Sequence, residues 1–568
     1  MQAVKTSVAA ALSRAVAELF GTDALPGEQI AAMLEYPPDP SMGDLALPCF
    51  KLSKTLHVAP PVIAARLAGA FSDPYISETF VAGGYLNFRL FAGAFVSHVV
   101  SDIERDGERY GSPGMGEGKT VVLDYSSPNV AKPFHIGHLG TTVIGHSLKL
   151  LFAFAGYHCV GINYLGDWGT QFGKMIVAFR RWGTVDIEKA TVDDLVSLYV
   201  RFHEEAEKDP SLNDAARAEF TRLENGDPED TALWKKFIEI SLKEYKITYD
   251  QLGIEFDSYA GESFYSDKMP AAIEEMRRAG LLEIDDGASV VRLDDYGMPP
   301  CLILKRDGSS LYPARDIAAA LYRKNTYHFD KCIYVTSAGQ SLHFRQWFKV
   351  LELMGYPWAA EELVHVPYGT VSINGEKLAT RTGNVVLLRD LFRMAIEKVR
   401  AIIEEKTPDL PDKDKVAEEV GVGAVVFHYL SNNRMRDINF DLETALSFDG
   451  NTGPYAQYSF ARCCSLLEKA ESSAATDFSG AGANELELAR ALSRFGETVS
   501  AALADYEPSY ITRYILELCT AFNRFYHDCP ILSADGPTKA MRLALVRSVK
   551  TVLGTALHLI CLKTPNKI

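Results

Sequence analysis

The sequence predicts an α/β protein built on a doubly wound parallel sheet, with a small α+β unit in front of it and an all-α unit behind it. Three observations carry this. Residues 119–125 (K-T-V-V-L-D-Y) are β-branched and apolar; a loop follows, then a helical run from 135 to about 156, then strand character again over 160–165. Strand, loop, helix, strand is one right-handed crossover unit of a parallel sheet. The same alternation returns over 331–336, 340–354 and 363–373, and a long, charged helical section at 182–261 separates the two halves. Such a section reads as an insertion between the halves of one sheet.

A chain of 568 residues, 47% hydrophobic and 23% charged, is ordinary globular material but too long for a single core, so three or four domains are expected. Residues 1–112 begin with an amphipathic helix and end in the strand-like G-G-Y-L-N-F-R-L, where Tyr85, Asn87 and Arg89 alternate. The Gly-rich, charged stretch 106–118 reads as a linker. Residues 116–395 then form the Rossmann-type domain with its insertion at about 182–261, 396–445 a helical connector broken by P-D-L-P-D at 408–412, and 446–568 an almost wholly helical unit. In that last unit Tyr455, Tyr458 and Arg462 share one helix face by i, i+3, i+7 spacing.

Composition narrows the function classes. No run approaches the 18 apolar residues of a membrane span, and residues 1–20 lack the apolar core and cleavage site of a secretory signal. Nine scattered cysteines without a C-x-x-C pair argue against a zinc ribbon or a disulfide framework. A cytoplasmic monomer without membrane attachment is expected. The net charge of −16 excludes indiscriminate coating of nucleic acid, yet charge is segregated: 203–231 holds ten acids against three bases, 534–568 six bases against one acid. An anionic partner would favour the C-terminal end.

Two motifs carry chemistry. The first is H-I-G-H at 135–138, after a strand and at the start of a helix. A helix N-terminus offers free N–H groups and a positive dipole end to an anion. His135 and His138 are three apart and so share a face, Gly137 lets a ligand approach closely, and Lys132 adds a point charge upstream. The bland alternative is two surface histidines. The second motif is N-G-E-K-L-A-T-R-T-G-N at 374–384, where glycines bracket Lys377 and Arg381. Such a loop could close on a polyphosphate; the alternative is a solvated basic turn.

Together these signatures resemble the class I aminoacyl-tRNA synthetases. The wider string S-S-P-N-V-A-K-P-F-H-I-G-H-L-G, with Y-L-G-D-W-G-T-Q-F-G at 164–173, L-Y-P-A-R-D-I-A-A-A at 311–320 and T-G-P-Y-A-Q-Y at 452–458, resembles the arginyl-tRNA synthetases across nearly the whole chain. The resemblance implies ATP-dependent ligation in two steps. The carboxylate of L-arginine attacks the α-phosphate of ATP, giving arginyl-adenylate and pyrophosphate; the terminal ribose of an arginine-accepting tRNA then takes the arginyl group. Members of the family generally need bound tRNA for the first step. Magnesium is expected with ATP, without a dedicated protein site.

By the same resemblance His135, Gly137 and His138 bind ATP, and Lys377 opens the second signature. Thr380 stands where the class carries its second lysine, and Lys132 is expected to compensate, so Lys132, His135, His138 and Lys377 form the implied catalytic set. Asp124, Asn129, Tyr312, Asp316 and Gln340 match the arginine-contacting positions. A guanidinium is always charged and pairs with carboxylates in a planar fork, which suits Asp316. Taken alone, Asp316 reads as a first-turn helix acid, Asn129 as a turn residue and Gln340 as a helix-start polar residue. Asp124, by contrast, sits in an apolar strand and needs a partner on physical grounds. Tyr85 and Asn87 match positions that read a D-loop base, and Tyr455, Tyr458 and Arg462 match anticodon-loop contacts; the alternative for each aromatic is core packing. The competing functions are a nucleotidylyltransferase, which shares the H-x-G-H helix start but lacks the C-terminal helices, and a tRNA-binding paralogue without activation activity.

Overall fold

A computed structural model describes the chain except residues 23, 24, 374, 375, 378–385, 449, 471–474 and 476, and except the side chains of residues 40, 373, 376 and 377. Its centre is a four-stranded parallel sheet in the order Leu363–Tyr368, Lys331–Ser337, Thr120–Asp124, His158–Ile162. From Thr120–Asp124 the chain winds outward through the helix Leu139–Phe154 to His158–Ile162, and later returns to Lys331–Ser337 on the opposite side. The winding therefore reverses between Thr120–Asp124 and Lys331–Ser337, where open α/β sheets form a crevice beyond their carboxyl ends. Both faces of the sheet are covered, which is why its strands read as apolar runs. Val121 and Leu123 join one core with Leu139, Val143 and Ile144, while Val122, pointing the other way, joins a second with Ile317, Trp347 and Cys332.

The insertion consists of the helices Val192–Lys208, Ser211–Glu224 and Pro228–Leu252. The last is bounded as its sequence dictates. Asp227 accepts hydrogen bonds from the amides of Glu229 and Asp230, Pro228 stands in the first turn, and Gly253 closes the helix at φ 69°.

The N-terminal unit is an antiparallel sheet in the order Leu45–Pro48, Tyr85–Leu90, Ile76–Ala82, packed on helices. The C-terminal unit comprises the helices Gly453–Glu468, Ala483–Ser493, Phe495–Asp505, Ser509–Asp528 and Gly536–Leu559. Its last helix is fastened to the sheet domain, Ser147 Oγ donating to the Leu559 carbonyl at 2.7 Å. All nine cysteines are free thiols. No helix among the described residues is long and apolar enough to cross a membrane.

Three features depart from the sequence reading. The expected strand at 363–373 is two strands: Leu363–Tyr368 stays in the parallel sheet, whereas Val371–Ile373 pairs with Glu376–Lys377 and Ile438–Phe440 in a separate sheet. The chain bends between them at Gly369, where an added Cβ would lie 2.5 Å from the Arg436 carbonyl oxygen. The connector expected to be helical thus contains the strand Ile438–Phe440, which at three residues is too short to show alternation. An antiparallel sheet of Leu282–Asp285, Ala288–Val291 and Cys301–Leu304 precedes the second half of the parallel sheet. Its four-residue strands carry surface charges such as Glu283 and Asp285, which hide their periodicity.

Candidate active site

The loop after Thr120–Asp124 is tightly constrained. Ser126, Ser127 and Ala131 all have positive φ (67°, 47° and 59°), conformations that cost energy for residues with a Cβ. The insertion holds it. Ser241, Tyr245 and Tyr249, on one face of Pro228–Leu252 by i, i+4, i+8 spacing, all bond to it. The Ala131 amide donates to Ser241 Oγ at 2.9 Å, Tyr245 Oη donates to the Asn129 and Lys132 carbonyls at 2.8 Å each, and Tyr249 Oη shares a 2.8 Å hydrogen bond with Ser126 Oγ. The inserted helices thereby brace the segment that bears the first signature.

The signature begins as a 3₁₀ turn, Ile136–His138, before the α-helix Leu139–Phe154. Both imidazoles are tied to the backbone: His135 Nδ1 accepts from the Gly137 amide at 3.0 Å, and His138 Nδ1 accepts from the His135 amide at 3.2 Å. A Cβ on residue 137 would come within 2.7 Å of the His135 ring, so glycine is required for this arrangement. Burial, with Lys132 as a smaller influence, lowers the pKa of His135 to about 4; burial, with His135 next, lowers that of His138 to about 3. Both rings are therefore neutral near pH 7. With Nδ1 accepting, the proton of each sits on Nε2, leaving two neutral N–H donors on rings whose centroids are 4.0 Å apart.

Beside this turn, at the reversal of the sheet, opens a cavity of about 850 Å³. It is lined by His138 and by Asp124, Asn129, Tyr312, Asp316 and Gln340, so the structure brings together all five positions that sequence resemblance linked to arginine. Asp316 Oδ2 lies 2.6 Å from His343 Nε2. Tyr312 is 64% exposed at the rim, one turn before Asp316. Asn129 and Gln340 are exposed, Asn129 being seated against Gly166, where a Cβ would meet its Oδ1 at 2.1 Å. Lys132 and His135 belong to the same loop and helix start but do not line the cavity.

Several lining residues were not legible as site residues. Arg323, 1% exposed, pairs with Asp124 at 2.8 Å. Burial pushes the Asp124 carboxyl up, against the pull of that guanidinium and of Ser127, whose hydroxyl donates to it. The signal was present as spacing: Tyr312, Asp316, Ala319 and Arg323 follow i, i+4, i+7, i+11, and all four line the cavity. Glu262 lines it too, paired with Arg315 at 2.7 Å; burial, opposed by Arg315 and aided by Asp316, raises its pKa to about 7. Glu262 is held in place by its neighbour, since Asp167 accepts from the Ser263 amide at 2.8 Å and from its hydroxyl at 2.7 Å. Nothing in the periodicity around 262 marks it.

Of the second signature, Lys377 is described only as backbone, in the hairpin with Val371–Ile373, and Thr380 and Arg381 lie outside the described residues. The chain beyond the loop is fixed to the first signature: the Ile136 amide donates to the Val386 carbonyl at 3.1 Å and the Leu388 amide to the Phe134 carbonyl at 2.9 Å. One end of the loop is thus anchored at the helix start.

The three residues on Gly453–Glu468 do come together at the surface. Arg462 lies between the rings of Tyr458 and Tyr526, at 4.9 and 4.8 Å from their centroids, and both rings are 42% exposed. Arg462 donates to Asn523 Oδ1 at 2.5 Å, and Asn523 donates to Tyr455 Oη at 2.8 Å. Asn523 and Tyr526, from the helix Ser509–Asp528, complete a cluster that one helix's spacing could not show. In the N-terminal unit Tyr85 is half-buried, edge-on to the exposed Phe50 at 5.3 Å, whereas Asn87 is 1% exposed with no partner for Nδ2 among the described residues. Alternation put both on one strand face; Asn87, on the middle strand of the sheet, is covered.

Comparison with known proteins agrees along the whole chain. The family model for the class I (R) tRNA synthetase catalytic domain matches residues 99–442, that for the DALR anticodon binding domain residues 456–568, and that for the arginyl tRNA synthetase N terminal domain residues 2–90. The arginine–tRNA ligase of Alkaliphilus metalliredigens is 48% identical over 561 residues, covering 97% of this chain and 99% of that one. The ligase of Clostridium perfringens is 49% identical over 547 residues, covering 95% and 97%. The arginyl-tRNA synthetase structure from Thermus thermophilus superposes with a TM-score of 0.81 at 26% identity, covering 98% of this chain and 99% of that one. On the match of catalytic, anticodon-binding and N-terminal regions in one order, the chain belongs to the arginyl-tRNA synthetase family of class I.

Proposed function

We propose that the cavity between Asp124 and Gln340 is where this arginine–tRNA ligase activates arginine with ATP before passing it to tRNA. The observation that carries this is the juxtaposition of an acidic cavity with a helix start that carries two neutral N–H donors, of which His138 lines the cavity. Asp316 and Glu262 hold the substrate guanidinium. Asp124, Asn129, Tyr312 and Gln340 line the remaining surface of the amino acid. ATP lies against the helix start over Gly137, with the Nε2–H groups of His135 and His138 donating to its phosphate oxygens. Lys132 and Lys377 supply positive charge to the phosphates.

The chemistry needs no protein nucleophile. A carboxylate oxygen of arginine attacks the α-phosphorus, the bond to the bridging oxygen breaks, and pyrophosphate leaves with the electron pair. A ribose hydroxyl of the tRNA then attacks the carbonyl and gives up its proton, the bond from the carbonyl carbon to the phosphate oxygen breaks, and AMP departs with that electron pair. The protein positions the groups and stabilises the developing charge. Neutral histidines suit this task because they remain donors without exchanging a proton in the working pH range. Magnesium would enter with ATP and neutralise phosphate charge; among the described residues no group of three or more His, Cys, Asp or Glu offers it a protein site.

We read Tyr455, Tyr458 and Arg462 as the anticodon-side contact. Tyr85 is the accessible half of the expected D-loop contact; Asn87, covered on the middle strand, does not reach a base in this arrangement. We read the chain as a monomer acting in the cytoplasm. Aminoacylation of total tRNA with each of the twenty amino acids tests the assignment: charging with arginine alone is expected, and charging with any other amino acid instead contradicts it. Arginine-dependent ATP–pyrophosphate exchange, with and without tRNA, separates the ligase from a binding paralogue, which would give none.

A further inference from the structure

Arg323 is the most deeply buried cation in the cavity wall, and the reading above gives it no contact with substrate. Its guanidinium bonds Asp124 Oδ2 at 2.8 Å and lies 5.1, 5.6 and 5.8 Å from the ring centroids of Tyr164, Tyr334 and Tyr265. Nε and Nη2 have no hydrogen-bond partner among the described residues. A carboxylate surrounded by aromatic faces is what a guanidinium-recognition site is made of. The protein thus holds one of its own guanidinium groups against a carboxylate and aromatic rings, in the wall of the cavity that receives a guanidinium substrate.

The charges around the cavity explain why such an occupant is useful. Three carboxylates line it: Asp124, Asp316 and Glu262. Two resident guanidinium groups are assigned among them, Arg323 on Asp124 and Arg315 on Glu262, while Asp316 faces His343. With Arg323 in place, the remaining demand for positive charge falls on the Asp316 side. Without it, Asp124 would be a second, deeper anion competing for the same substrate group, and an uncompensated buried carboxylate besides.

Resting on the reading of the cavity as the arginine site, we propose that Arg323 is a specificity-determining positioning residue. As permanent occupant of an internal guanidinium site it satisfies Asp124 and so fixes one register of the substrate, guanidinium toward Asp316 beside the Arg315-paired Glu262, carboxylate toward the helix start. Arg323 sits two turns after Asp316 on the same helix face, so one helix carries both the acid that selects the substrate and the base that silences its competitor.

The test uses the full chain with tRNA and follows arginine-dependent ATP–pyrophosphate exchange. The wild type first establishes that exchange depends on arginine, which tests the underlying reading separately. Arg323→Ala is expected to raise the KM for arginine about tenfold or more while leaving the KM for ATP within about twofold. Guanidinium ion at low millimolar concentration then restores the arginine KM along a saturable curve that sodium at equal ionic strength does not reproduce. In the wild type guanidinium only inhibits. A folded Arg323→Ala variant that guanidinium leaves unchanged, or one in which both KM values rise together, overturns the proposal. Should Arg323→Ala fail to fold, Arg323→Lys decides. It keeps the charge but not the planar fork, so a raised arginine KM supports the internal site and wild-type values for both substrates overturn it.

Discussion

The two recognition regions of this chain use the same residue types in opposite settings. In the cavity, Arg323 is 1% exposed, caged by three tyrosines and paired with a buried carboxylate. On the C-terminal helices, Arg462 lies between two tyrosines that are each 42% exposed, with an amide as its partner. The first setting suits a small charged substrate, because in a desolvated site an unpaired ion is strongly penalised and selection is by charge and shape. The second suits a polymer, because exposed rings and a guanidinium offer bases a stacking platform without demanding burial. Electrostatic selectivity is built inside, and area is offered outside.

Mutations separate the two regions. The largest effect is expected at Asp316: replacing it by Ala should lower kcat/KM for arginine by about 10²- to 10³-fold, the cost of removing a charge partner from a desolvated site. The KM for ATP should stay within about twofold in the same exchange assay, and equal losses for both would make the acid structural. Next, Lys132→Ala should slow adenylate formation about a hundredfold in single-turnover measurements, as for a donor aimed at developing charge. Lys377→Ala should have the smaller effect, and the reverse order would refute the substitution of Lys132 for the missing second lysine. On the outer face, Tyr458→Ala should raise the KM for tRNA about tenfold, within the range of one base-stacking contact, and leave the arginine KM untouched.

The pH profile sharpens the contrast further. Glu262, raised by burial to about 7, is protonated and useless to a guanidinium below that value and ionised above it. The arginine kcat/KM, which reports the free enzyme, should therefore climb about tenfold from pH 6 to pH 8. His135 at about 4 and His138 at about 3 stay neutral throughout that window and add no limb. Because His343 faces Asp316, the assignment rests on Glu262→Gln, which should flatten the climb; a profile unchanged by that substitution would remove Glu262 from the site.

Much of this was legible in the residues, and the parts that were not share a cause. The parallel sheet and the inserted helices follow from apolar runs and helical spacing that local sequence displays. The lining residues Asn129, Tyr312, Asp316 and Gln340 were reached through resemblance rather than spacing, while Asp124 was marked by its apolar strand; the first-turn reading of Asp316 fails, since the helix Tyr312–Tyr327 carries no acid in its first turn. Arg323 was within reach as the next charged residue on the face of Tyr312 and Asp316. Glu262, Tyr245 and Asn523 were not, because each acts across a packing contact between segments distant in the chain: Glu262 to Arg315, Tyr245 to the carbonyl of Lys132, Asn523 to Tyr455. Strands of three or four residues, such as Ile438–Phe440, escape for the same reason, as pairing rather than pattern defines them.

The central claim is that the cavity selects its amino acid by charge. Calorimetric titration of the tRNA-bound chain with arginine and with citrulline, its neutral isostere, tests that claim directly. The account predicts that arginine binds at least about a hundredfold more tightly, the difference between satisfying and stranding a half-buried carboxylate. Affinities within a few-fold of each other would contradict it.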